Sequence, residues 1–336
     1  MLLPTMVTAT VNRTRRGLSA LILAASLLAA PMAQAAEPLH IGYSDWPGWV
    51  AWQVAIDKGW LKKAGVNAQF EWFDYSASMD AFSAGKLDGV MVTNGDALVM
   101  GGNGAKNVMI LLTDYSNGND IIVGKPGVKS MADLKGKKVG LEVGLVEHLL
   151  LIDGLRKAGI KESDVTLVNA KTNETPQVLA SGDVAAIGAW QPIAGQAMRG
   201  APGAKALYSS ADRPGLIYDV IAVSPASLAS RRADWLKLVS VWDKIVDYIE
   251  DPKTQPDAVA IMAVKAGVSP DVFTRILKGT KLLKLADGRK VMVDAEGFGS
   301  LYGSSRHADG FNVKFDVYKT PQDVKTYIDP ALTDGK

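Results

Sequence analysis

Cysteine is absent from this 336-residue chain, and with it go disulfide scaffolds, zinc ribbons, thiol redox centres and cysteine nucleophiles. Histidine is almost absent: His40, His148 and His307 are the whole set, too few for a multi-histidine metal site. The formal net charge is only +2, which removes the basic footprint of a nucleic-acid binder. No continuous apolar run reaches the roughly 20 residues that span a bilayer. There is no G-x-S-x-G elbow, H-E-x-x-H helix, P-loop or strand-following G-x-G-x-x-G. What the chain does have is 48% hydrophobic residues and 33 glycines. That is too apolar for disorder and long enough for two domains of about 150 residues, each with its own core.

Residues 1–35 read as a secretory address. Arg13, Arg15 and Arg16 make a positive start, Leu18 to Ala30 an apolar segment, and Ala33-Gln34-Ala35 a small-residue cleavage site before Ala36. The Arg15-Arg16 pair also fits twin-arginine export, with general secretion the default, and Met6 offers a second start. Removing this segment takes away three arginines and no acid, so the net charge passes from +2 to −1. No cysteine follows the cleavage site, so no lipid anchor is expected. The expectation is a protein free in a Gram-negative periplasm.

Beyond the leader, short strand-like runs alternate with longer helical ones. Strands are expected at Leu39–Tyr43, Val66–Phe73, Gly89–Thr93 and Val108–Thr113, with helices over Gly48–Ala64 and Ser76–Ala84 and a short one from Asp96. A second set begins after Gly127. It has a helical turn at Met131–Leu134, strands at Lys138–Glu142, Val165–Asn169 and Ala185–Ala189, helices at Glu147–Ala158 and Pro176–Ala180, and a β-like run at Leu216–Val223. Helices then dominate, over Pro225–Glu250, Gln255–Ala266 and Pro270–Lys278, before a tail with little pattern except a helix near Pro321–Tyr327. This βαβα alternation implies an α/β fold with parallel sheets covered by helices on both faces. An internal echo supports two copies of one unit. Ala84-Gly85-Lys86-Leu87-Asp88-Gly89-Val90 and Ser181-Gly182-Asp183-Val184-Ala185-Ala186-Ile187 each end a helix on a small-Gly pair and start a buried strand. Chance likeness of two such stereotyped loops is the competing reading.

Ligands of open α/β sheets bind beyond the carboxyl ends of the strands. The loops expected there begin with Ser44-Asp45-Trp46-Pro47-Gly48-Trp49, Phe73-Asp74-Tyr75-Ser76, Thr93-Asn94-Gly95-Asp96 and Ser116-Asn117-Gly118-Asn119-Asp120. The second unit adds Glu142 to Glu147, Thr172-Asn173-Glu174-Thr175, Trp190-Gln191 and Tyr218-Asp219. Acids, amides, hydroxyls and aromatic rings fill these loops, and Lys and Arg are missing from all of them. Singly, each residue has an ordinary use. Asp45, Ser76, Asp96 and Thr175 suit helix N-caps, Asp120 a turn, and Trp46 and Trp49 a core. Together the acids repel the anion that helix N-termini would otherwise favour. They suit a small cation or polar amide instead. Carboxylates supply charge-assisted hydrogen bonds, rings a cation–π attraction of about 0.5–2 kcal/mol, and a planar guanidinium answers both. Asp120 and Glu142 are the first-choice charge partners; Trp46, Trp49 and Trp190 are the stacking residues.

Catalysis finds less support. Glu147-His148 is the one acid–histidine neighbour pair, and its helix gives His148 a structural place. Glu142 and Glu147 lack a nucleophile or metal beside them, while His307 and Asp309 read as loop residues. The chain reads as a binder that needs no cofactor and no metal.

The segments DKGWLKKAGV (57–66), AFSAGKLDGVMVTNGDAL (81–98), SMADLKGKKVGLEVG (130–144) and ASGDVAAIGAWQP (180–192) resemble the periplasmic substrate-binding proteins of nitrate/sulfonate/taurine-type ABC importers, the NMT1/THI5-like or SsuA-like family. The likeness covers about residues 37–250, and D-L-K-G-K-K-V-G is its most specific element. It implies a periplasmic-binding-protein fold: two α/β lobes, a ligand cleft and two crossing segments, near Asp120–Val123 and Asp219–Ala222. Lobe one would comprise 36–121 and 221–336, lobe two 122–220. The ligand-facing positions it implies are Asp45, Trp46, Trp49, Asp74, Asn94, Asp96, Asn119, Asp120, Glu142, Glu147, Trp190 and Asp219. The expected partners are a small-molecule ligand and an ABC permease of the inner membrane, the receptor itself being monomeric. The lack of bases at these positions departs from the anion-binding members. It agrees with a branch found beside urea- and guanidine-utilisation genes. A taurine or alkanesulfonate receptor, and an enzyme on the same fold, are the alternatives.

Overall fold

Runs of buried aliphatic residues build the frame. The strands are Leu39–Tyr43 (β1), Ala68–Trp72 (β2), Gly89–Thr93 (β3), Val108–Ser116 (β4), Asp120–Gly124 (β5), Lys138–Leu141 (β6), Thr166–Asn169 (β7), Ala186–Trp190 (β8), Lys205–Ser209 (β9), Tyr218–Val223 (β10) and Thr280–Leu282 (β11). A computed structural model describes residues 37–335; the expected leader lies outside the described residues. The strands form two sheets, in the orders β11-β4-β10-β3-β1-β2 and β7-β6-β8-β5-β9. β3, β5, β8 and β10 are buried at every position, as expected for strands with helices on both faces.

The expectation of parallel sheets needs correction. β1 runs parallel to β2 and β3, and β6 to β7 and β8. β10 is antiparallel to β3 and β4, and β5 to β8 and β9. The reason is how each strand is entered. The chain leaves the first sheet after β4 through 117–119 and returns after β9 through 210–217. β5 and β10 therefore arrive from the other sheet without a crossover helix, and they run back against strands that leave toward it. The segments expected to cross, Asp120–Val123 and Asp219–Ala222, are themselves strands.

The internal echo has a structural counterpart: β2-β1-β3-β10-β4 repeats as β7-β6-β8-β5-β9. Gly85 (φ 72°) and Gly182 (φ 82°) take the left-handed turn that ends the preceding helices.

The C-terminal part is more structured than its sequence pattern suggests. The single helix expected over Pro225–Glu250 is three: Pro225–Ser230, Arg232–Ser240 and Trp242–Glu250. Arg231, at φ −126° and ψ 22°, leaves helical geometry while its carbonyl accepts from Asp234 and Trp235 to begin the next helix. The tail holds helices Leu285–Val291 and Leu301–Lys314, so His307 and Asp309 are helical rather than loop residues. Leu301–Lys314 packs on helix Asn94–Gly102. There the Asn94 amide donates to Ser304 Oγ at 3.2 Å and Ser305 Oγ at 3.1 Å.

Candidate functional site

β1, β3, β6 and β8 end, and β5 and β10 begin, on the side where the chain passes between the sheets. Their terminal residues therefore meet in one cleft. Asp96 follows β3, Asp120 opens β5, Glu142 follows β6, Glu147 lies in the first turn of helix Val146–Lys157, and Asp219 opens β10. Each is at most 6% exposed. The structure adds a sixth acid, Asp114 in β4, fully buried and paired across the sheet with Asp219. Among the described residues no ion pair involves any of the six. They are not arranged as a metal-holding group.

Partners are unevenly distributed. Asp96 Oδ2 accepts from the Tyr75 hydroxyl at 2.6 Å and from Val146 N at 3.3 Å. Glu142 accepts from Ser76 Oγ at 2.9 Å and Thr172 Oγ1 at 3.1 Å. Asp114 accepts from Trp46 Nε1 and from Thr113 Oγ1, both at 2.9 Å. No protein donor reaches Asp120 Oδ2, Asp219 Oδ2 or either oxygen of Glu147, and the Trp49 Nε1–H has no acceptor. Burial pushes Asp96 up to about 7, and Asp114 and Asp120 up to about 6. In Glu147 and Asp219, burial reinforced by neighbouring carboxylates drives the carboxyl well above its ordinary range. Glu142 is raised by burial against the pull of Ser76 and Thr172. Like charges this close in a low-dielectric interior cannot all be ionised together.

Aromatic rings wall the acids. Trp49 stacks on Tyr75 with centroids 5.5 Å apart and planes 18° apart, and Trp190 meets Tyr75 edge-on at 5.1 Å. Trp190 Nε1 donates to Asp45 Oδ1 at 2.9 Å, and burial lifts Asp45 to about 6. The Ser76–Glu142, Val146–Asp96 and Trp190–Asp45 bonds all join residues around the first sheet to residues around the second. A cavity of about 70 Å³ opens beside them, lined by Asp45, Asp74, Tyr75, Glu142 and Trp190 among others. That is several times the roughly 10–15 Å³ one water needs, and so fits a guest of a few heavy atoms. A wider groove of about 840 Å³ lies off the cleft, between helices Val146–Lys157 and Leu301–Lys314, and the clustered carboxylates do not line it.

Of the positions expected to face a ligand, Asp96, Asp120, Glu142, Glu147 and Asp219 come together as acids, and Trp49 and Trp190 as the wall. Asp45 and Asp74 lie at the mouth, Asp74 exposed. Trp46 touches the cluster through Asp114. Two positions turn away. Asn94 is occupied by Ser304, Ser305 and the Tyr218 N–H. Asn119 donates to Ile276 O at 2.7 Å and Thr280 Oγ1 at 2.8 Å. His148, as expected, is structural: buried, hydrogen-bonded to Glu162, and edge-on to Phe311. Asp114 and Tyr75 were absent from the expected set. An acid ending a five-residue apolar run, and a phenol one place after Asp74, were the available signals.

The Trp46–Trp49 turn carries a close approach. Pro47 starts a short helix, and a Cβ on Gly48 would stand 2.0 Å from Asp114 Oδ2. Gly48→Ala is therefore expected to lower stability by about 1–3 kcal/mol through overpacking, read as an earlier urea midpoint. An unchanged midpoint would show that Asp114 can move aside freely.

The family model described as NMT1/THI5 like matches residues 46–255. This chain belongs to that family. The matched span of the NMT1/THI5-like model begins at Trp46 and takes in all six clustered carboxylates. A Brucella abortus protein described as a binding protein is 28% identical over 297 residues, covering 86% of this chain and 89% of its own. The alkanesulfonate-binding protein SsuA from Xanthomonas axonopodis pv. citri, solved with MOPS, aligns with a TM-score of 0.72 at 17% identity over 88% of this chain and 99% of its own. The desulfurization enzyme DSZB aligns with a TM-score of 0.61 at 14% identity over 89% of this chain and 98% of its own. The fold is thus the periplasmic-binding-protein fold, and it serves receptors and an enzyme alike.

Proposed function

We propose that this chain is a periplasmic solute-binding protein that captures a small nitrogen-rich solute, guanidinium- or amide-like, and delivers it to the permease of an ABC importer. The observation that carries this reading is the cluster of six buried carboxylates, four of whose oxygens meet no protein donor, beside a Trp49–Tyr75–Trp190 wall. A planar cation with several N–H groups supplies what those oxygens lack and stacks on indole or phenol. The family and the binding-protein relatives support a receptor, and the leader expected at 1–35 supports the periplasm. In this reading 36–121 with 221–336 form one lobe, 122–220 the other, and a monomer closes on its guest about 117–119 and 210–217.

The absence of bases argues against a sulfonate guest, and the cluster lacks a positioned nucleophile for an enzyme. Calorimetry of the purified protein against micromolar guanidinium chloride, urea, taurine and an alkanesulfonate tests the reading. Guanidinium heat that saturates at one per chain is expected. Tight taurine or sulfonate binding with no guanidinium heat would leave the receptor and overturn its cargo; turnover of any of them would overturn the receptor.

A further inference from the structure

We infer that cargo capture exchanges a cation for protons held between facing carboxyl pairs, Asp120 with Glu147 and Asp114 with Asp219. This rests on the cation-receptor reading and says how that site is regulated. Asp120 and Glu147 lie within hydrogen-bonding reach of each other, and so do Asp114 and Asp219, which sit opposite one another in β4 and β10. Two carboxyl groups bond to each other only when one of them carries a proton, because a carboxylate is an acceptor alone. Each contact therefore calls for a shared proton. Gly188 in β8 keeps the first pair tight: a Cβ there would come within 2.9 Å of Glu147 Cβ.

The surroundings offer no substitute for those protons. Glu147 feels Asp120, Glu142 and Asp96; Asp219 feels Asp114, Asp120 and Asp96. Trp190, not a base, stands opposite Asp120 in β8, and on β9 the nearest lysine, Lys205, pairs at the far end of β5. On helix Val146–Lys157 the bases are Arg156 and Lys157, in its last turn and engaged with Asp153 and Asp212. Lys171 acts on Glu142 from outside the pairs. The unpartnered Trp49 Nε1–H is a second buried polar group at this wall, and it lies outside the acid cluster.

The exchange balances. One monocation enters, one shared proton leaves to the buffer, and the buried charge of the site is unchanged. Closing over the guest then adds no net charge to a desolvated interior, which is the costly step for a buried ion. Acid should therefore favour release and alkali capture.

Guanidinium chloride titrated calorimetrically in two buffers of different ionisation enthalpy tests the exchange. About one proton should be released per cation, with apparent affinity falling about tenfold per pH unit of acidification below neutrality. Infrared spectra of the cargo-free protein at neutral pH should show a protonated-carboxyl band that guanidinium diminishes and Glu147→Gln reduces. The band in the unsubstituted protein serves even if the variant does not fold. Guanidinium binding with no buffer dependence and no band would overturn the exchange and leave the receptor intact. A band with no cation binding would overturn the cation reading, and the exchange with it.

Discussion

Asp120→Asn is expected to weaken guanidinium binding by about a hundredfold or more, while making the cargo-free protein more stable above neutral pH. The first effect follows from removing one charged partner of a buried, hydrogen-bonded pair, a loss of about 2–5 kcal/mol. The second follows from linkage. The Asp120 carboxyl is raised from 3.8 to about 6 by burial, so between those values the native state holds a proton that the unfolded chain has lost. Its contribution is fully present below the unfolded value and is lost as pH rises through the native one. An amide of the same shape carries no such penalty. At about pH 8 the variant should gain roughly 1–3 kcal/mol, a gain that shrinks toward nothing near pH 4. Calorimetry and thermal melts at the two ends of that range measure both. Wild-type affinity would remove Asp120 from the site. A variant less stable at the alkaline end would make its carboxylate a structural group.

Opposite signs in affinity and stability are what a site assembled against its own repulsion should show. The same logic explains which parts of the molecule were legible beforehand. β1 and β3 were readable to the residue because fully buried strands are unbroken apolar runs between polar turns. Once strand ends were placed, five of the six clustered acids followed from the rule that ligands bind beyond them. Asp114 escaped because β4 runs on to Ser116, three residues past the end of its apolar pattern. A buried acid inside a strand reads as the strand's end.

Asn94 and Asn119 show the converse. Both stand at the correct ends of their strands, yet their amides serve segments far along the chain, Ser304 and Ser305 in one case and Ile276 and Thr280 in the other. Nothing local announces such a partner. Helix Leu301–Lys314 itself was hidden, because glycines and serines occupy the face that packs closely on Asn94–Gly102. Small residues chosen for close packing leave no apolar period to read. β9 was lost similarly, with Lys205 and Ala206 exposed.

The largest loss of stability is expected from Trp242→Ala, about 3–5 kcal/mol. Trp242 is fully buried. Its ring stacks on Trp52 with centroids 5.3 Å apart, and its Nε1 donates to Leu283 O at 2.8 Å. Trp52 in turn stacks on Phe70 of β2 and begins the helix that follows directly on the Trp46–Trp49 turn. The C-terminal helices are thus joined, ring on ring, to the segment that presents Trp46 to Asp114. Truncation leaves a cavity and an orphaned carbonyl together, which puts it at the severe end of core substitutions. Binding should suffer far less, by under about tenfold in the fraction that remains folded, because Pro47 and the Trp46–Asp114 bond hold the turn by themselves. A urea midpoint close to wild type would mean that the helices after Pro225 ride on the first lobe without supporting it. A large loss of affinity at intact stability would mean the opposite: that the turn takes its position from Trp242 and not from Asp114.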